Sequence, residues 1–183
     1  MWIYVVMGIV ALVLIYIFIV YNSLIKLNNR VEEAFATMDV YLKKRWDLIP
    51  NIVETVKGYA KHEKETLEEV INLRNSNYDN MNTSDKINAN EKLKVSISRL
   101  MILAESYPEL KANQNFLDLS SELTKVEDDI ANSRKYYNAV VRMMNNKVQM
   151  FPSNMVAGLF GYKELKMFEA SASERENVKV DLS

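Results

Sequence analysis

His62 is the one histidine in the chain, and Glu63 follows it directly, so the stretch HEKET at residues 62–66 resembles the start of a zinc-protease helix. That chemistry needs a second histidine four residues later on the same helical face. Position 66 is threonine, and the chain contains no cysteine. One histidine without thiolates supplies neither a two-histidine zinc site nor a paired Glu-x-x-His di-iron site. We therefore predict no metal or other cofactor and interpret this stretch as a solvated helix face.

The residue pattern does not support nucleophilic catalysis or phosphate binding either. A serine triad would have to use His62 as its base, and the chain lacks the GxSxG elbow that presents a nucleophile. The glycines of GLFGY, residues 158–162, lack the lysine and hydroxyl of a phosphate loop and indicate the end of a helix. One enzymatic alternative stays open, a hydrolase or hydrolase accessory that uses carboxylates around Asp47 and Glu63. The residues favour a protein that is not an enzyme.

The balance of charges bears on the class of partner. The chain has 183 residues, with 23 Lys and Arg against 24 Asp and Glu. This near neutrality gives no reason to expect nucleic acid as a partner. Only four glycines and three prolines are present, which favours long helices over tight hairpins.

The N-terminal residues predict a membrane anchor. Trp2–Val20 is almost wholly apolar, and the first charged side chain is Lys26. About twenty such residues cross a hydrocarbon core of roughly 30 Å as a helix. A cleaved signal peptide would have a basic start, a shorter apolar run and a small-residue cleavage site, and these are missing. We expect a retained single span at residues 1–22, which makes the membrane the first predicted partner.

The charges that flank the span predict its orientation. No Lys or Arg precedes it, whereas Lys26 and Arg30 follow closely. The positive-inside rule then places the bulk of the chain in the cytoplasm and the N-terminus outside. The opposite topology, an extracytoplasmic stalk, is the alternative.

A helical bundle domain is predicted over residues 23–170, followed by a polar C-terminal tail at 171–183. Its first helix spans about residues 24–75 and continues the membrane helix, because apolar residues recur at steps of three and four. An Asn-rich loop is expected at about 75–88, with Ser84 or Asn88 as the cap of the next helix. The apolar row of the first helix contains Leu24, Leu27, Val31, Ala34, Met38, Tyr41, Leu48, Ile52 and Tyr59.

Three further helices complete the predicted bundle, at about residues 88–107, 112–150 and 154–160. Pro108 is expected to end the first of these. The second keeps a repeat of 3.5 residues, which is typical of coiled-coil-like packing. Ser153 or Asn154 is expected to cap the third. The fold class is therefore all-α, an elongated antiparallel bundle of long helices on a single N-terminal transmembrane helix.

Pro50 interrupts the first predicted helix. Proline lacks an N–H donor and leaves the carbonyl of Trp46 without its usual partner, at a cost of about 3 kcal/mol in a helix interior. Asp47 and Asn51 lie one turn apart around it, and Asn51 could donate to a freed carbonyl. A gentle bend for packing is favoured. A kink that exposes backbone groups to a partner is the alternative.

Four separated blocks follow the span in a fixed order: RWDLIPNIVETVKGYAKHE, YPELKANQNFLDLSSEL, IANSRKYYNAVV and FPSNMVAGLFGY, the last with a later FE. Together they resemble the LemA family of bacterial membrane proteins over nearly all of residues 21–169. Two departures, VEDD at Val126–Asp129 and MMNN at Met143–Asn146, affect the surface of the third long helix. The resemblance implies these motif positions as candidate structural or partner contacts: Asp47, Pro50, Asn51, Tyr59, His62, Tyr107, Pro108 and Asn138.

The resemblance also implies a function. Family members resemble non-enzymatic anchored scaffolds, some associated with magnetosome membranes and others encoded beside membrane proteases. We therefore expect a membrane-anchored helical scaffold or adaptor that recruits a protein partner, such as a membrane protease or another membrane protein. The alternative is an accessory or regulatory subunit of a membrane-bound hydrolase or protease. Self-association of the chain is compatible with both functions.

Overall fold

The computed structural model of the protein describes residues 1–60, 63–74 and 78–168. Over these residues the chain is helical without any strand, and the all-α fold class with one long N-terminal helix is confirmed. The α-helices are α1 (Trp2–Tyr59), α2 (Lys64–Arg74), α3 (Thr83–Glu105), α4 (Pro108–Lys111), α5 (Gln114–Gln149) and α6 (Ser153–Leu159), and a 3-10 turn occupies Tyr78–Asn80.

The two longest helices, α1 and α5, form an antiparallel pair. The Asn113 side chain, just before α5, donates to the Tyr59 hydroxyl at 2.9 Å. The rings of Phe35 and Tyr137 meet with their centroids 5.9 Å apart. These contacts are 24 residues apart on both sides, from 35 to 59 and from 113 to 137. The two helices therefore keep one register over most of their shared length.

The first helix ends earlier than the sequence predicts. It stops at Tyr59 instead of continuing to about residue 75, and a separate helix, α2, follows at Lys64. Ala60 is fully buried, and its N–H donates to the Val56 carbonyl at 2.8 Å. Since α5 begins level with Tyr59, a helix running on to residue 75 would extend roughly 24 Å beyond its partner. The prediction was wrong here because apolar spacing does not report where the neighbouring helix begins.

The helices α2 and α3 form a second pair that packs on α1. Leu67 and Val70 of α2 and Leu93 and Leu100 of α3 are buried in the common core. The predicted cap of α3, Ser84 or Asn88, was wrong, because the helix begins at Thr83 and the Asn82 side chain accepts from the Asp85 N–H at 2.9 Å. An Asx cap at the start of a helix satisfies a donor that has no intrahelical partner.

The C-terminal end of α5 leads into α6 and then into an extended segment. Ser153 is the first residue of α6, and neither Ser153 nor Asn154 caps it; the Ser153 hydroxyl donates to the Met150 carbonyl at 2.9 Å. Gly161 has φ of 74°, a left-handed conformation that glycine adopts without steric cost, and here the chain reverses. Residues 162–168, which we call the strap, return along α5. Phe168 at its end is buried.

The remaining boundaries differ from the predictions by a few residues. The helix predicted at 88–107 is α3 at Thr83–Glu105, and Pro108 is the first residue of the short α4 instead of the residue that ends α3. The helix predicted at 112–150 is α5, with Asn113 as its cap, since its side chain accepts from the Phe116 N–H at 3.1 Å. Proline at the first helical position has no donor to lose, so Pro108 suits α4.

None of the other described residues forms a layer that covers the N-terminal part of α1. Residues 1–16 are all exposed, and Val20 is the first buried residue. The helix continues without a break past residues 22 and 23, where the sequence predicts the border between anchor and bundle. The predicted tail at 171–183 lies outside the described residues.

Candidate functional site

Three of the candidate positions lie at the end of the bundle farthest from the N-terminal stretch of α1, which we call the distal end. Tyr59, at the end of α1, accepts a hydrogen bond from the cap of α5, Asn113. The Tyr107 hydroxyl donates to Glu63 Oε1 at 3.3 Å. Burial and the neighbouring carboxylate raise the pKa of the Tyr107 phenol. Pro108 follows directly and starts α4. These residues join chain segments at helix ends, which is a structural role.

Three more candidate positions lie on α1 around the proline. Asp47 is exposed and pairs with Lys43 at 2.8 Å, one turn away. The Asn51 carbonyl accepts from the Thr55 hydroxyl at 2.8 Å. Pro50 is half-buried within a helix that continues on both sides. A functional kink at this point stays a prediction.

Asn138 holds the strap against α5. Its side chain donates to the Phe168 carbonyl at 2.8 Å and accepts from the Phe168 N–H at 2.9 Å. Asn145, seven residues later, makes the same pair of bonds with Leu165, both at 2.8 to 2.9 Å. Two asparagines two helical turns apart thus make the hydrogen bonds to the extended backbone that a neighbouring strand would make in a sheet. Asn145 was not predicted, and its spacing from Asn138 is the signal that could have found it.

The candidate positions therefore do not form one site. They fall at the distal end, around Pro50 and along the strap. His62 lies outside the described residues. Among the residues that are described, no group of three or more His, Cys, Asp or Glu is placed to hold a metal ion.

The most distinctive chemistry lies instead around Arg45, which is only 3% exposed. Its guanidinium donates to Glu127 Oε1 of α5 at 2.8 Å. It also donates to Asn90 of α3, to the carbonyl at 3.0 Å and to Oδ1 at 2.8 Å. One buried side chain thus joins three helices. Arg45 Nε is buried and has no hydrogen-bond partner.

A second set of polar contacts adjoins the first. The Tyr78 hydroxyl donates to Asp39 Oδ1 at 2.7 Å, and Lys86 Nζ contacts Asp39 Oδ2 at 2.6 Å. The Asn90 side chain donates to the Tyr78 hydroxyl at 3.4 Å, which links this set to Arg45. Burial and the hydrogen bond to Asp39 raise the pKa of the Tyr78 phenol well above its ordinary value. We call these residues the polar crossing: Asp39, Arg45, Tyr78, Lys86, Asn90 and Glu127.

An ion pair lies beside the polar crossing on the surface of the α1–α5 pair. Lys44 donates to Glu122, and this hydrogen bond raises the pKa of the lysine and lowers that of the carboxyl. Both side chains are well exposed, so the pair adds little to stability.

An open groove lies between α3 and α5, with a volume of 570 Å³. Arg45 reaches it from α1, and Phe168 of the strap lines it as well. Among the described residues, two buried side-chain atoms lack a hydrogen-bond partner, Arg45 Nε and Ser120 Oγ, and both residues line this groove. The apolar residues of this α3–α5 groove are Leu42, Ile97, Met101, Ile102, Leu123 and Ile130.

The polar crossing was not predicted from the sequence, although two residues in the sequence indicated it. Arg45 occupies the step between Tyr41 and Leu48 in the apolar row of α1. Asn90 lies three residues before Leu93, which begins the apolar row of α3. A charged or amide side chain at a core position indicates a buried partner, because burial without one is costly.

The fold and the N-terminal helix together define the class of protein. Among the described residues, one helix is long and apolar enough to cross a membrane, namely α1, whose most apolar stretch has a mean hydropathy of 3.0. The protein is thus an all-helical bundle with one helix that could span a membrane.

The sequence profile of the LemA family matches residues 34–182, and the chain belongs to this family. Protein LemA of Metamycoplasma hominis is 28% identical over 159 residues, 86% of this chain and 72% of that protein. Magnetosome proteins MamQ 2 and MamQ 1 of Paramagnetospirillum magneticum are each 30% identical over 74 residues, 40% of this chain and 27% of those proteins. These relatives and the apolar helix support a membrane-associated protein of the LemA family.

Proposed function

We propose that this protein is a non-enzymatic, membrane-anchored scaffold that binds a segment of a partner protein in the α3–α5 groove. The observation that carries the proposal is the open, largely apolar groove between α3 and α5, at which Ile102 is 66% exposed. An open groove lined by apolar side chains is a typical docking place for a short segment of another protein.

The composition of the groove indicates the chemistry of that segment. Its walls are largely apolar, and its charged residues are of both signs, since Lys94 and Arg134 line it as well as Glu91, Glu127 and Asp128. A volume of 570 Å³ accommodates a few side chains of a peptide, not a folded domain. We therefore expect a short partner segment with apolar anchors and without a large net charge.

A matched pair of positions on α3 can test this proposal. Ile102 lines the groove and is 66% exposed, whereas Val95 is 53% exposed on the same helix and does not line it. A photocrosslinking amino acid at position 102 of the full chain, in intact cells, should capture a defined segment of one membrane protein. The same amino acid at position 95 should not. Mass spectrometry of the crosslinked peptide identifies the captured segment.

A charge introduced at the groove sharpens the result. Ile102→Glu should abolish capture by a crosslinker at the neighbouring groove residue Met101, because a carboxylate in an apolar contact must be desolvated. Val95→Glu should leave that capture intact, and both variants should keep the wild-type melting temperature. Equal capture at positions 95 and 102, or a crosslink to the chain's own C-terminal residues, would count against a partner site in the groove. If the captured protein is a membrane protease, the accessory-subunit alternative gains support.

We also propose that the bundle lies on the cytoplasmic side. Lys26 and Arg30 follow the apolar stretch, and the end of α5 adds Lys147 beside them. Basic residues that close to a span favour the cytoplasmic side. In the cysteine-free chain, Val95→Cys should be protected from a membrane-impermeant thiol reagent in intact cells and should react after lysis. Ready labelling in intact cells would establish the stalk topology instead.

A further inference from the structure

The end of the bundle around α6 carries an unusual density of exposed apolar side chains. Within residues 150–160, Met150 is 61% exposed, Phe151 78%, Met155 68%, Leu159 72% and Phe160 46%. Elsewhere on the bundle, exposed large apolar side chains are spaced far apart along the chain, as Val40, Val95 and Leu117 are. A contiguous exposed apolar patch on a soluble surface marks a place that another apolar phase covers.

This patch lies beside the point where α1 acquires its first covering layer. The Tyr21 and Phe160 rings meet with their centroids 4.4 Å apart. Val20 and Leu24 are buried at the same level, whereas nearly every residue before Val20 is exposed. The uncovered stretch at residues 2–19 is about 27 Å long at 1.5 Å per residue. That length matches a hydrocarbon core of roughly 30 Å, so the patch lies level with one surface of the bilayer.

The charges around the patch fit a lipid surface. A cavity of 570 Å³ lies between α1 and the end of α5, and among the described residues its lining contains Lys26, Arg30 and Lys147 but no acidic side chain. Tyr16 and Phe151 line the same cavity on its apolar side. Basic side chains above aromatic and aliphatic ones reproduce the order of headgroup and acyl region in a bilayer.

We propose that residues 150–160 form an interfacial membrane contact: their exposed apolar side chains enter the bilayer that α1 crosses, and Lys26, Arg30 and Lys147 bind anionic lipid headgroups. The inference rests on the proposed anchoring of α1. Lipid is the occupant because the uncovered stretch of α1 puts a bilayer directly against this patch. The contact fixes the bundle at a second point, so α1 is not a free stalk and the α3–α5 groove is held at a set height above the membrane.

The test uses single cysteines in the otherwise cysteine-free full chain, each labelled with the environment-sensitive dye NBD. The protein is reconstituted into vesicles of phosphatidylcholine with a minority of phosphatidylglycerol. The test position is Met155→Cys on α6. The controls are Val95→Cys on the exposed face of α3 and Leu12→Cys within the uncovered stretch of α1, which is 68% exposed. Quenchers are lipid nitroxides at two depths and iodide present on both sides of the membrane.

We expect the Met155 probe to be quenched by the shallow nitroxide and protected from iodide. Its fluorescence emission should also lie at a shorter wavelength than that of the Val95 probe. The Leu12 probe should respond to the deep nitroxide. If Leu12 responds so but Met155 behaves like Val95, the interfacial contact is overturned while the anchoring stands. If Leu12 also behaves like Val95, the anchoring fails and the contact fails with it. Protection of Met155 that disappears as the protein-to-lipid ratio is lowered would assign the patch to a second copy and overturn the proposal.

A separate measurement tests whether the three basic residues bind anionic headgroups. A probe at Met150→Cys, which lines the basic cavity, should be quenched at least about twofold more by nitroxide phosphatidylglycerol than by nitroxide phosphatidylcholine, because each nearby basic residue attracts anionic lipid. The triple variant Lys26→Gln, Arg30→Gln, Lys147→Gln should abolish this preference and leave the depth of the Met155 probe unchanged. An unchanged preference in the triple variant would overturn the assignment of these three residues.

Discussion

In the proximal part of the bundle, toward Val20, α1 and α5 meet through an apolar seam, whereas in the distal part the same two helices also meet through a buried charge. In the proximal part, Leu24 and Met38 are fully buried and Met144 is 1% exposed. In the distal part, Arg45 is as buried as its apolar neighbours and pairs with Glu127 of α5. The helices are continuous through both parts, so the difference comes from what packs on them.

The proximal seam has few neighbours and takes its cover from the strap and α6. The strap is held through side-chain amides of α5, because an extended backbone has no sheet partner here. The distal part receives α2 and α3, and a third helix can satisfy a buried guanidinium that two helices cannot. We infer that apolar burial supplies bulk stability in both parts, while the polar crossing fixes which residues of α3 lie opposite α1. Such a role in setting register is the best-attested use of buried polar contacts.

Removal of Arg45 should give the largest effect. Arg45→Ala removes its hydrogen bonds to Asn90 and Glu127 and opens a cavity, so we expect about 2–5 kcal/mol of destabilisation. Arg99→Ala is the matched control, because its pair with Glu69 is well exposed and should contribute at most about 1 kcal/mol. Thermal melting of both full-chain variants in detergent micelles measures the difference. Equal melting temperatures would show that the polar crossing is no more important than a surface ion pair.

The seam was more predictable from the sequence than the crossing. Helical periodicity depends on neighbours three and four residues away, and it placed Leu24, Val31 and Met38 on one buried face correctly. The polar crossing depends on residues far apart in the chain, since Tyr78 reaches Asp39 and Asn90 reaches Arg45. Those contacts exist only after α1 ends at Tyr59 and the chain turns back, and no local pattern specified that turn.

The candidate positions divide in the same way. Asn138 and Tyr59 have clear partners in the structure, but the resemblance that indicated them said nothing of which segments they join. The α3–α5 groove was not predicted at all, because a groove is a property of the spacing between two helices and not of either sequence.

The second prediction concerns alkaline pH. The folded-state pKa of Tyr78 is raised above its ordinary value of 10.0, first by burial and then by Asp39, so the folded state favours the neutral phenol. This contribution is fully present below about pH 10 and is lost as the pH rises above it, at up to about 1.4 kcal/mol per pH unit. Tyr78→Phe should flatten that alkaline loss. At neutral pH it should cost about 1.5–3 kcal/mol, because a hydrogen bond to a carboxylate disappears.

Chemical unfolding of wild type and Tyr78→Phe at a series of pH values up to alkaline conditions checks this. Tyr136→Phe is the control, since that ring is 53% exposed on α5. An alkaline loss of stability as steep in Tyr78→Phe as in wild type would place the titrating group elsewhere in the bundle and weaken the contrast between crossing and seam.

The smallest expected effect belongs to Pro50, at the distal side of the crossing. Pro50→Ala restores an N–H that can donate to the Trp46 carbonyl, a gain of about 0.5–1.5 kcal/mol. The same change makes the unfolded chain more flexible, and this gain in entropy stabilises the unfolded state by about 0.4–1 kcal/mol. The two terms nearly cancel, so the melting temperature should stay close to wild type or rise slightly, as it should for the exposed control Glu54→Ala. Loss of crosslinking at Ile102 in a normally stable Pro50→Ala protein would assign the proline to partner recruitment, whereas a much lower melting temperature would show that folding itself requires it.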